Sequence, residues 1–397
     1  MSTINQVKTI ANKLLKDING GQELTVNNTN DLIDIGKKLK DADLQNQFIK
    51  EGLEYVTTKI REEDNFEKPM LPEVTMSTQY GINTQEVLVD VGDFEDNMTY
   101  KIENGQSIDP FIVTMPKVQA KFYDTKNTYE LPITKTRKQF EAAFSDMESM
   151  DAFWGAIDQC VRNKLEVSNM GLILACTANM IGETYVAEGI DGSTTKSGNH
   201  TGPKVVNLRK LYNDATGENL TANQFMQKME AKLSAVEEIN NVVDRLQMPS
   251  KLYNIQGVSR FTPKSRIKVA LLSQFSNNIK ATLYSKLYNK SDATLPEHTK
   301  VLYWQNPKTY NFKDVSSIHV NVQDPDNEQV THEVVESNII GIAYDERALE
   351  IINEDLRATG EYNGRGEYYN NWFKFEAGYR NKLYENFVVF TISDDVA

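Results

Sequence analysis

The chain is poor in the two residue types that most often build redox centres and metal sites. Its 397 residues include only 2 cysteines and 4 histidines. Cys160 and Cys176 fall within one predicted helix, which separates them by about 24 Å, whereas a disulfide needs Cα atoms ~4.4–6.8 Å apart. We therefore expect two free cysteines, buried as small apolar side chains, in a chain made in a reducing compartment.

Long apolar runs are also missing from the chain. The longest one spans only a few residues, far below the ~20 that are needed to cross a bilayer. The polar start, Met1-Ser-Thr-Ile-Asn-Gln, lacks the basic and apolar regions of a signal peptide. These absences predict a protein with no secretion signal and no membrane partner.

The histidines and carboxylates show no spacing that is typical of a metal site. His200, His298, His319 and His332 are dispersed, and none has a second ligand at metal-binding spacing. The acidic turn that begins at Asp324 resembles a calcium loop, but it lacks the glycine and the final glutamate that such a loop requires. The sequence predicts no metal site and no cofactor.

Catalytic motifs are likewise absent. The chain has no Gly-x-Ser-x-Gly elbow and no dinucleotide fingerprint, and its glycine-rich loop at 189–202 lacks the Gly-Lys-Ser/Thr ending of a phosphate loop. Because 56 residues are Asp or Glu, a glycosidase-like pair of carboxylates stays open, although no pair stands out. We predict that the protein is not an enzyme, with a carboxylate-based hydrolase as the least favoured alternative.

Positive charge is in deficit as well. With 43 Lys plus Arg against 56 Asp plus Glu, the formal net charge is −13. Affinity for DNA comes mainly from Lys and Arg side chains that neutralise phosphates, so this balance argues against a general nucleic-acid binder. It is compatible with a protein that faces DNA without adhering to it.

The first third of the chain divides into two differently patterned segments. Residues 1–66 carry apolar residues at helical spacing, beginning with Ile4, Val7 and Ile10, but too few to form a core of their own. This pattern predicts an arm that docks elsewhere, with a small independent helical domain as the alternative. Residues 67–137 alternate as strands and are interrupted by prolines, which predicts a flap of extended hairpins.

A long helix and a mixed region follow. Apolar residues recur in steps of three and four from 147 to about 185, which predicts a spine helix of on the order of 50 Å within the segment 138–185. Residues 186–338 mix helical and strand patterns and form one predicted α/β unit. Within it, Thr221 and Gln224 have the spacing of a capping box at the start of a helix. The predicted fold class is therefore α+β.

The last segment, 339–397, begins with an apolar pattern that is typical of a buried strand at 339–344. Asp345 is then predicted to cap a helix with an apolar face, and Gly360 lies where a left-handed residue would end it. After this helix we predict an aromatic-rich strand that turns at 381–386 and forms a hairpin with the strand beginning at Phe387.

Two residues of this aromatic stretch are candidates for contacts between subunits. Arg365, between two glycines, could hold a phosphate or a partner's carboxylate in a bidentate grip. Alternatively it is a solvated side chain in a turn whose glycines supply the backbone angles. Trp372 shares a face with Asn370 and Lys374 and is either a core residue beneath the spine helix or an interface anchor.

The order of these elements resembles one known family. The likeness is carried by Ile340-Gly-Ile-Ala-Tyr-Asp345, the helix predicted after it, Asn363-Gly-Arg-Gly-Glu-Tyr-Tyr-Asn-Asn-Trp372, Asn386-Phe-Val-Val-Phe390, and Val118-Gln-Ala-Lys-Phe-Tyr-Asp ahead of the long helix. Together they resemble the major capsid proteins of tailed bacteriophages with the Hong Kong 97 fold, in particular those of small short-tailed phages. In its order of elements the resemblance covers residues 67–393.

The resemblance implies an N-terminal arm (1–66), an extended β-hairpin loop (67–137), a peripheral domain (138–185 with the C-terminal helix and hairpin of 339–397) and an axial domain (186–338). It also implies pentamers and hexamers in an icosahedral shell around double-stranded DNA, located in the virion and assembled in the host bacterial cytoplasm. The implied partners are a scaffolding protein, a portal, and head decoration or fibre proteins. An encapsulin-like nanocompartment shell protein, which resembles the same fold, is the main alternative.

Overall fold

The computed structural model describes residues 74–77, 84–90, 103–107, 111, 117–123, 127–189, 201–286, 295–305, 315–323 and 330–394. The predicted arm at 1–66, most of the glycine-rich loop and the acidic turn at Asp324 lie outside these residues.

The helices are α1 (Arg137–Ala143), α2 (Met147–Ala187), α3 (Leu208–Thr216), α4 (Ala222–Phe225), α5 (Met229–Arg245) and α6 (Ser273–Lys286), with a 3₁₀ turn at Lys264–Arg266. The strands are β1 (Val74–Ser77), β2 (Thr84–Asp90), β3 (Lys117–Tyr123), β4 (Asn127–Thr136), β5 (Val205–Asn207), β6 (Ile267–Leu272), β7 (Thr299–Val301), β8 (Ile318–Gln323), β9 (Thr331–Glu336), β10 (Ile339–Asp345), β11 (Leu349–Asn363), β12 (Tyr368–Asn381) and β13 (Phe387–Thr391). The protein is thus a mixed α+β structure.

Residues Tyr80–Thr125 form a unit of their own. Its two described strands, β2 and β3, pair antiparallel, with Thr84 opposite Tyr123 at one end and Asp90 opposite Lys117 at the other. This pairing agrees with the extended pattern predicted from alternation and prolines in this part of the chain. Strand β4 belongs to the remaining unit, which holds all the elements described below.

Helix α2 is the predicted spine helix, and its 41 residues span about 60 Å at ~1.5 Å per residue. It begins after Asp146, whose side chain accepts a 2.6 Å hydrogen bond from the backbone N–H of Ser149. This cap satisfies one of the N–H groups that the first turn leaves unpaired. The buried side of the helix includes Met150, Ile157 and Ile181, in agreement with the predicted spacing.

The two cysteines of α2 differ in environment. Cys176 is buried and its Sγ lies 3.0 Å from Asn381 Oδ1, but Cys160 is exposed, so the expectation that both are buried is wrong for Cys160. The neighbouring Ala156 and Gln159 are exposed as well, because this stretch of α2 is covered on one side only. The composition of α2 would suit a membrane span, but 67% of its most apolar 18-residue window is buried inside the protein, as in a core helix.

The main core surrounds a five-stranded sheet with the order β5-β13-β10-β6-β7. Every residue of β10 and β13 is buried, in agreement with the apolar runs at 339–344 and 387–390. Trp304 is fully buried beside them and donates a 2.9 Å hydrogen bond from Nε1 to the carbonyl of Ile339. This sheet takes strands from both sides of the boundary that the sequence placed between 338 and 339.

A second sheet has the order β1-β11-β12-β4. At its centre, β11 and β12 form a long antiparallel hairpin of 15 and 14 residues. The predicted C-terminal helix between Asp345 and Gly360 is therefore wrong, because these residues form most of β11. The Asp345 side chain does accept a backbone hydrogen bond, but from Arg347 only two residues on (3.0 Å), which makes a turn rather than a helix cap.

Gly360 does not end a helix but lies within β11, opposite Asn371. A Cβ added at this position would lie 2.6 Å from Asn371 Oδ1, so the close approach of that side chain accounts for the glycine. The apolar spacing of Leu349, Ile352 and Leu356 suits a helix, but pairing with β12 on one side and β1 on the other favours the strand.

The predicted hairpin between the aromatic strand and the strand from Phe387 is also wrong. Strand β12 pairs with β11 and β4, whereas β13 pairs with β10 and β5 in the other sheet. The turn at 381–386 thus carries the chain from one sheet to the other. Both strands are rich in apolar residues, and that pattern alone does not identify their partners.

Candidate assembly surfaces

Both candidate residues, Arg365 and Trp372, lie on the β11–β12 hairpin. One face of β12 packs against the helices, since Tyr369 and Phe373 are each only 1% exposed. The ring centre of Tyr369 lies 5.9 Å from that of Phe140 in α1. This face therefore belongs to the core of the subunit, and its aromatic side chains need no ligand to explain them.

Trp372 lies on the other face of β12, because neighbouring residues of a strand point to opposite sides. It is half-buried, and the residues opposite it, Pro132 in β4 and Thr359 in β11, are exposed. Since the helices cover the face of Tyr369 and Phe373, the structure does not place Trp372 beneath the spine helix.

Polar pairs flank this tryptophan along the same face. Thr134 donates a 2.8 Å hydrogen bond to Asn370 Oδ1, and Lys374 Nζ lies 3.3 Å from Glu130 Oε2. An aromatic side chain surrounded by satisfied polar groups is the usual composition of an interface centre and its rim. Sequence reasoning missed Glu130 and Thr134, because Thr134 and Asn370 are 236 positions apart and no local pattern joins them.

Arg365 lies at the tip of the hairpin, where the side chain of Asn363 organises the turn. Asn363 Oδ1 accepts hydrogen bonds from the backbone N–H groups of Arg365 and Gly366, each at 3.1 Å. The interpretation that glycines supply the special backbone angles is wrong, since the positive φ of this turn, +49°, belongs to Glu367. The Arg365 side chain is exposed and forms no ion pair with the residues that the structure describes.

Buried ion pairs lie where the chain passes between the two sheets. Arg266 Nη2 lies 2.5 Å from Asp345 Oδ2, and Asp345 is fully buried. On the side of the second sheet, Arg380 Nε donates to Glu350 Oε2 at 2.7 Å, and Lys382 Nζ lies 3.5 Å from the same oxygen. Because an unpaired buried charge is costly, these pairs must stay together for the junction to stay folded.

Glu385 lies in the second crossing between the sheets. Burial raises the pKa of its carboxyl above the usual range, and the negative charge of Asp345 raises it further. The positive charges of Arg260, Arg266 and Lys382 oppose this rise in the pKa. The site is thus a mixed cluster of charges within the subunit, in which the carboxylates have cationic neighbours.

Two of the histidines that the structure describes form hydrogen bonds within the fold. His298 Nε2 lies 2.8 Å from Ser276 Oγ, and His319 Nε2 lies 2.6 Å from Glu333 Oε1. Over the described part of the chain, no group of three or more His, Cys, Asp or Glu side chains is placed to hold a metal ion.

Comparison with known families identifies the kind of protein that carries these surfaces. The sequence profile of a family described as "Phi29-like phage major capsid protein" matches residues 7–391. The chain belongs to this family. No curated protein matches the sequence of this capsid protein.

Solved structures similar to the capsid protein come from phages. A chain from the capsid structure of Staphylococcus phage Andhra is 11% identical, with a TM-score of 0.46 over 79% of this chain and 81% of that one. A chain from the head-fiber and inner-core-protein structure of native bacteriophage P68 is 10% identical, with a TM-score of 0.46 over 80% and 83%. A chain from Microbacterium phage Oxtober96 is 9% identical, with a TM-score of 0.40 over 81% and 89%.

Family membership confirms the prediction of a tailed-phage major capsid protein, a structural protein of the virion. It favours this function over the nanocompartment shell and over the carboxylate-based hydrolase. A capsid protein functions through contacts with other molecules, so its functional sites are exposed surfaces. The exposed face around Trp372 and the hairpin tip at Arg365 are therefore assembly candidates.

Proposed function

We propose that this capsid protein adopts a Hong Kong 97-type arrangement and assembles as pentamers and hexamers into an icosahedral shell that encloses double-stranded DNA. In this arrangement 1–66 is the arm, 67–137 the extended loop, 138–185 with 339–397 the peripheral domain, and 186–338 the axial domain. The segments share sheets: 339–397 contributes β10 and β13 to the five-stranded sheet, and 67–137 contributes β1 and β4 to the four-stranded one. The observation that carries the proposal is the family match over 7–391, which spans both sheets and the spine helix.

Open strand edges support assembly by pairing between subunits. Within the described residues, β2–β3 and β8–β9 form two-stranded sheets, and β4 is an edge of the four-stranded sheet. Sheet edges recruit strands from other chains, and a closed symmetric assembly satisfies them all.

Electron microscopy of particles purified from infected cells tests this proposal. We expect closed, uniform shells with five-fold and six-fold capsomers and with nuclease-protected double-stranded DNA inside them. Subunits that stay monomeric would refute the assembly. Closed shells that hold enzymes and no DNA would instead support the nanocompartment alternative.

We further infer that the protein assembles in the host bacterial cytoplasm together with a scaffolding protein, a portal, and head decoration or fibre proteins. The size and closure of the shells test whether a scaffold is needed, because subunits of one 397-residue chain must form both five-fold and six-fold rings. Expression of the capsid protein alone should give open or mixed-size particles, and co-expression of the scaffold should restore uniform shells. Uniform shells from the capsid protein alone would contradict the need for a scaffold.

We propose that Trp372 anchors a contact between subunits. Replacing a hot-spot tryptophan costs about 2 kcal/mol or more per contact, so Trp372→Ala should sharply lower the yield of shells. Its circular dichroism should match that of the parent, because Trp372 lies outside the helix-covered core. Thr359→Ala, at an exposed residue opposite it, is the matched control. Shells of Trp372→Ala with parental yield and stability would remove Trp372 from the interface.

We propose that Arg365 reaches a carboxylate on a neighbouring subunit. The rigid turn presents an exposed guanidinium that has no ion pair within the described chain, and a guanidinium suits bidentate binding of a carboxylate. Arg365→Glu should impair assembly, whereas Lys138→Glu, an equal reversal at another exposed site, should not. If both variants assemble normally, the Arg365 loop serves only to turn the chain.

We also propose that the net charge of −13 keeps packaged DNA from adhering to the inner wall. The purified subunit should show weak binding to double-stranded DNA even at low salt, with little dependence on salt concentration. A strongly basic inner surface, or tight binding that falls steeply with salt, would refute this role of the charge.

A further inference from the structure

The connection between α5 and the 3₁₀ turn, residues 246–264, exposes an unusual amount of apolar surface. Met248, Leu252 and Phe261 are 68%, 57% and 54% exposed. We call this connection the basic loop, for the charges described below. The three exposed apolar side chains make this connection a candidate interaction site.

Hydrogen bonds fix the backbone of the basic loop. Ser250 and Arg260 exchange two backbone hydrogen bonds of 2.9 and 3.0 Å, and Thr262 N donates to Leu246 O at 2.9 Å. The fully buried Asn254 accepts a 2.9 Å hydrogen bond from Val258 N. The exposed apolar side chains therefore stand on a preorganised support, which reduces the entropic cost of binding.

The charge of this region is opposite to that of the chain. The basic loop contains Lys251, Arg260 and Lys264 and no Asp or Glu, in a chain of net charge −13. Lys264 is exposed and forms no ion pair with the residues that the structure describes. The basic loop thus combines exposed apolar side chains with positive charge, which suits an acidic partner surface.

A groove between α3 and α5 has the complementary character. Its volume is about 400 Å³, and its apolar lining residues are Leu208, Leu211 and Ala215 of α3. On the α5 side it is lined by Ser234, Glu237, Glu238, Asn241 and Arg245. Glu238 is already bound by Arg245 at 2.8 Å, whereas Glu237 is exposed. The groove therefore offers an apolar floor beside an available carboxylate.

We propose that the basic loop of one subunit docks into the α3–α5 groove of a second copy of this chain. Phe261 and Leu252 would cover the apolar floor, and Lys264 would lie near Glu237. We choose a second copy as the partner because of charge complementarity: its groove carries the exposed carboxylate of Glu237, which can pair with the positive charge of the basic loop. This inference rests on the proposed assembly into capsomers.

The symmetry of this contact agrees with the proposed rings. The loop and the groove are different surfaces of one subunit, so two copies joined in this way are related head to tail. Head-to-tail contacts repeat around an axis and close into a ring when the rotation permits. A pentamer or a hexamer could thus be built from one such contact.

Cysteine cross-linking in assembled shells tests the contact. In a Cys160→Ser background, which removes the exposed thiol, Phe261→Cys and Ala215→Cys are combined in the same chain. Mild oxidation should give a ladder of covalent species beyond the dimer on a denaturing gel. The control combines Ala215→Cys with Val335→Cys, because Val335 is 54% exposed, as is Phe261, but lies on β9.

The outcomes of this experiment are distinct. Closed shells whose ladder does not exceed that of the control would overturn the contact and leave the proposed shell intact. A product that stops at the dimer would show a two-fold contact and overturn the head-to-tail arrangement. A cross-link from the Phe261→Cys position to a different protein of infected cells would assign the loop to another partner. Absence of any assembly would count against the proposed function itself.

Charge reversal gives a second, independent test. Lys264→Glu and Glu237→Lys should each slow assembly about tenfold, because a like-charge contact at an interface opposes association. Their combination should restore the rate. Glu230→Lys, an exposed residue of the same helix outside the groove, should have little effect. A double variant no faster than the slower single variant would overturn the proposed pairing.

Discussion

The β11–β12 hairpin carries two arginine–glutamate pairs that share their chemistry but differ in burial. The side chains of Arg380 and Glu350 are 5% and 4% exposed, whereas those of Arg357 and Glu376 are 53% and 30% exposed. We predict that Arg380→Met strongly destabilises the subunit and that Arg357→Met barely changes its stability. The comparison isolates burial, since both pairs join the same two strands.

The magnitude follows from what each substitution leaves behind. Arg380→Met leaves the Glu350 carboxylate where solvent hardly reaches it, and breaking a buried pair in this way costs about 3–5 kcal/mol. Lys382 Nζ lies 3.5 Å from the same carboxylate and keeps part of the compensation, so we expect the lower end, about 3 kcal/mol. The exposed pair is screened by water, and its loss should cost about 0–1 kcal/mol.

Urea unfolding of the unassembled subunit, followed by tryptophan fluorescence, measures both free energies. The double variant Arg380→Met with Glu350→Leu removes both charges and should recover much of the loss, because apolar residues of similar size replace a buried pair at little cost. An Arg380→Met variant that loses no more stability than Arg357→Met would refute the reasoning. So would a double variant less stable than Arg380→Met alone.

Two further predictions concern helix α2 and pH. Gly182→Ala should lower the free energy of unfolding by about 1–3 kcal/mol, because the added Cβ would lie 2.7 Å from Val320 Cγ2. A lower melting temperature would report this loss. Gly155→Ala, with no atom within 4 Å of the added Cβ, should raise stability by about 0.5–1 kcal/mol. Since the pKa of the Glu385 carboxyl is raised in the folded state, stability falls as pH rises from its unfolded to its folded pKa. Glu385→Gln lacks this loss, so its stability relative to the parent should increase from about pH 4 to pH 7. An equal difference at both pH values would contradict the assignment.

The elements best predicted from the sequence are those whose pattern is local. The spacing of apolar residues identified α2, and unbroken apolar runs identified β10. The capping box of Thr221 and Gln224 is present at the start of α4, with both of its hydrogen bonds. In each case the evidence lies within one or two turns of helix or a few residues of strand.

The region that was predicted wrongly depends on distant partners. Leu349, Ile352 and Leu356 have the spacing of a helix face, yet they lie in β11 because β1 and β12 supply its ladder on either side. The same limit applies to the candidate assembly face. Alternation along β12 correctly grouped Trp372 with Asn370 and Lys374, but it could not reveal the residues of β4 that complete the face.

The two wrong predictions of the fold are the helix after Asp345 and the hairpin at 381–386. Both concern the places where the chain crosses from one sheet to the other. The polar residues there, such as Asp345 and Glu385, follow the rules for a cap and a turn, but in the structure they join the buried charges of the junction. Because hydrogen-bonded ion pairs tolerate little change in geometry, we expect them to hold the two sheets in one orientation. Arg380→Met should therefore speed hydrogen exchange of the backbone amides at 381–387 more than in the rest of β12. Uniform acceleration along the strand would mean that the pair stabilises the hairpin as a whole and does not specifically hold the junction.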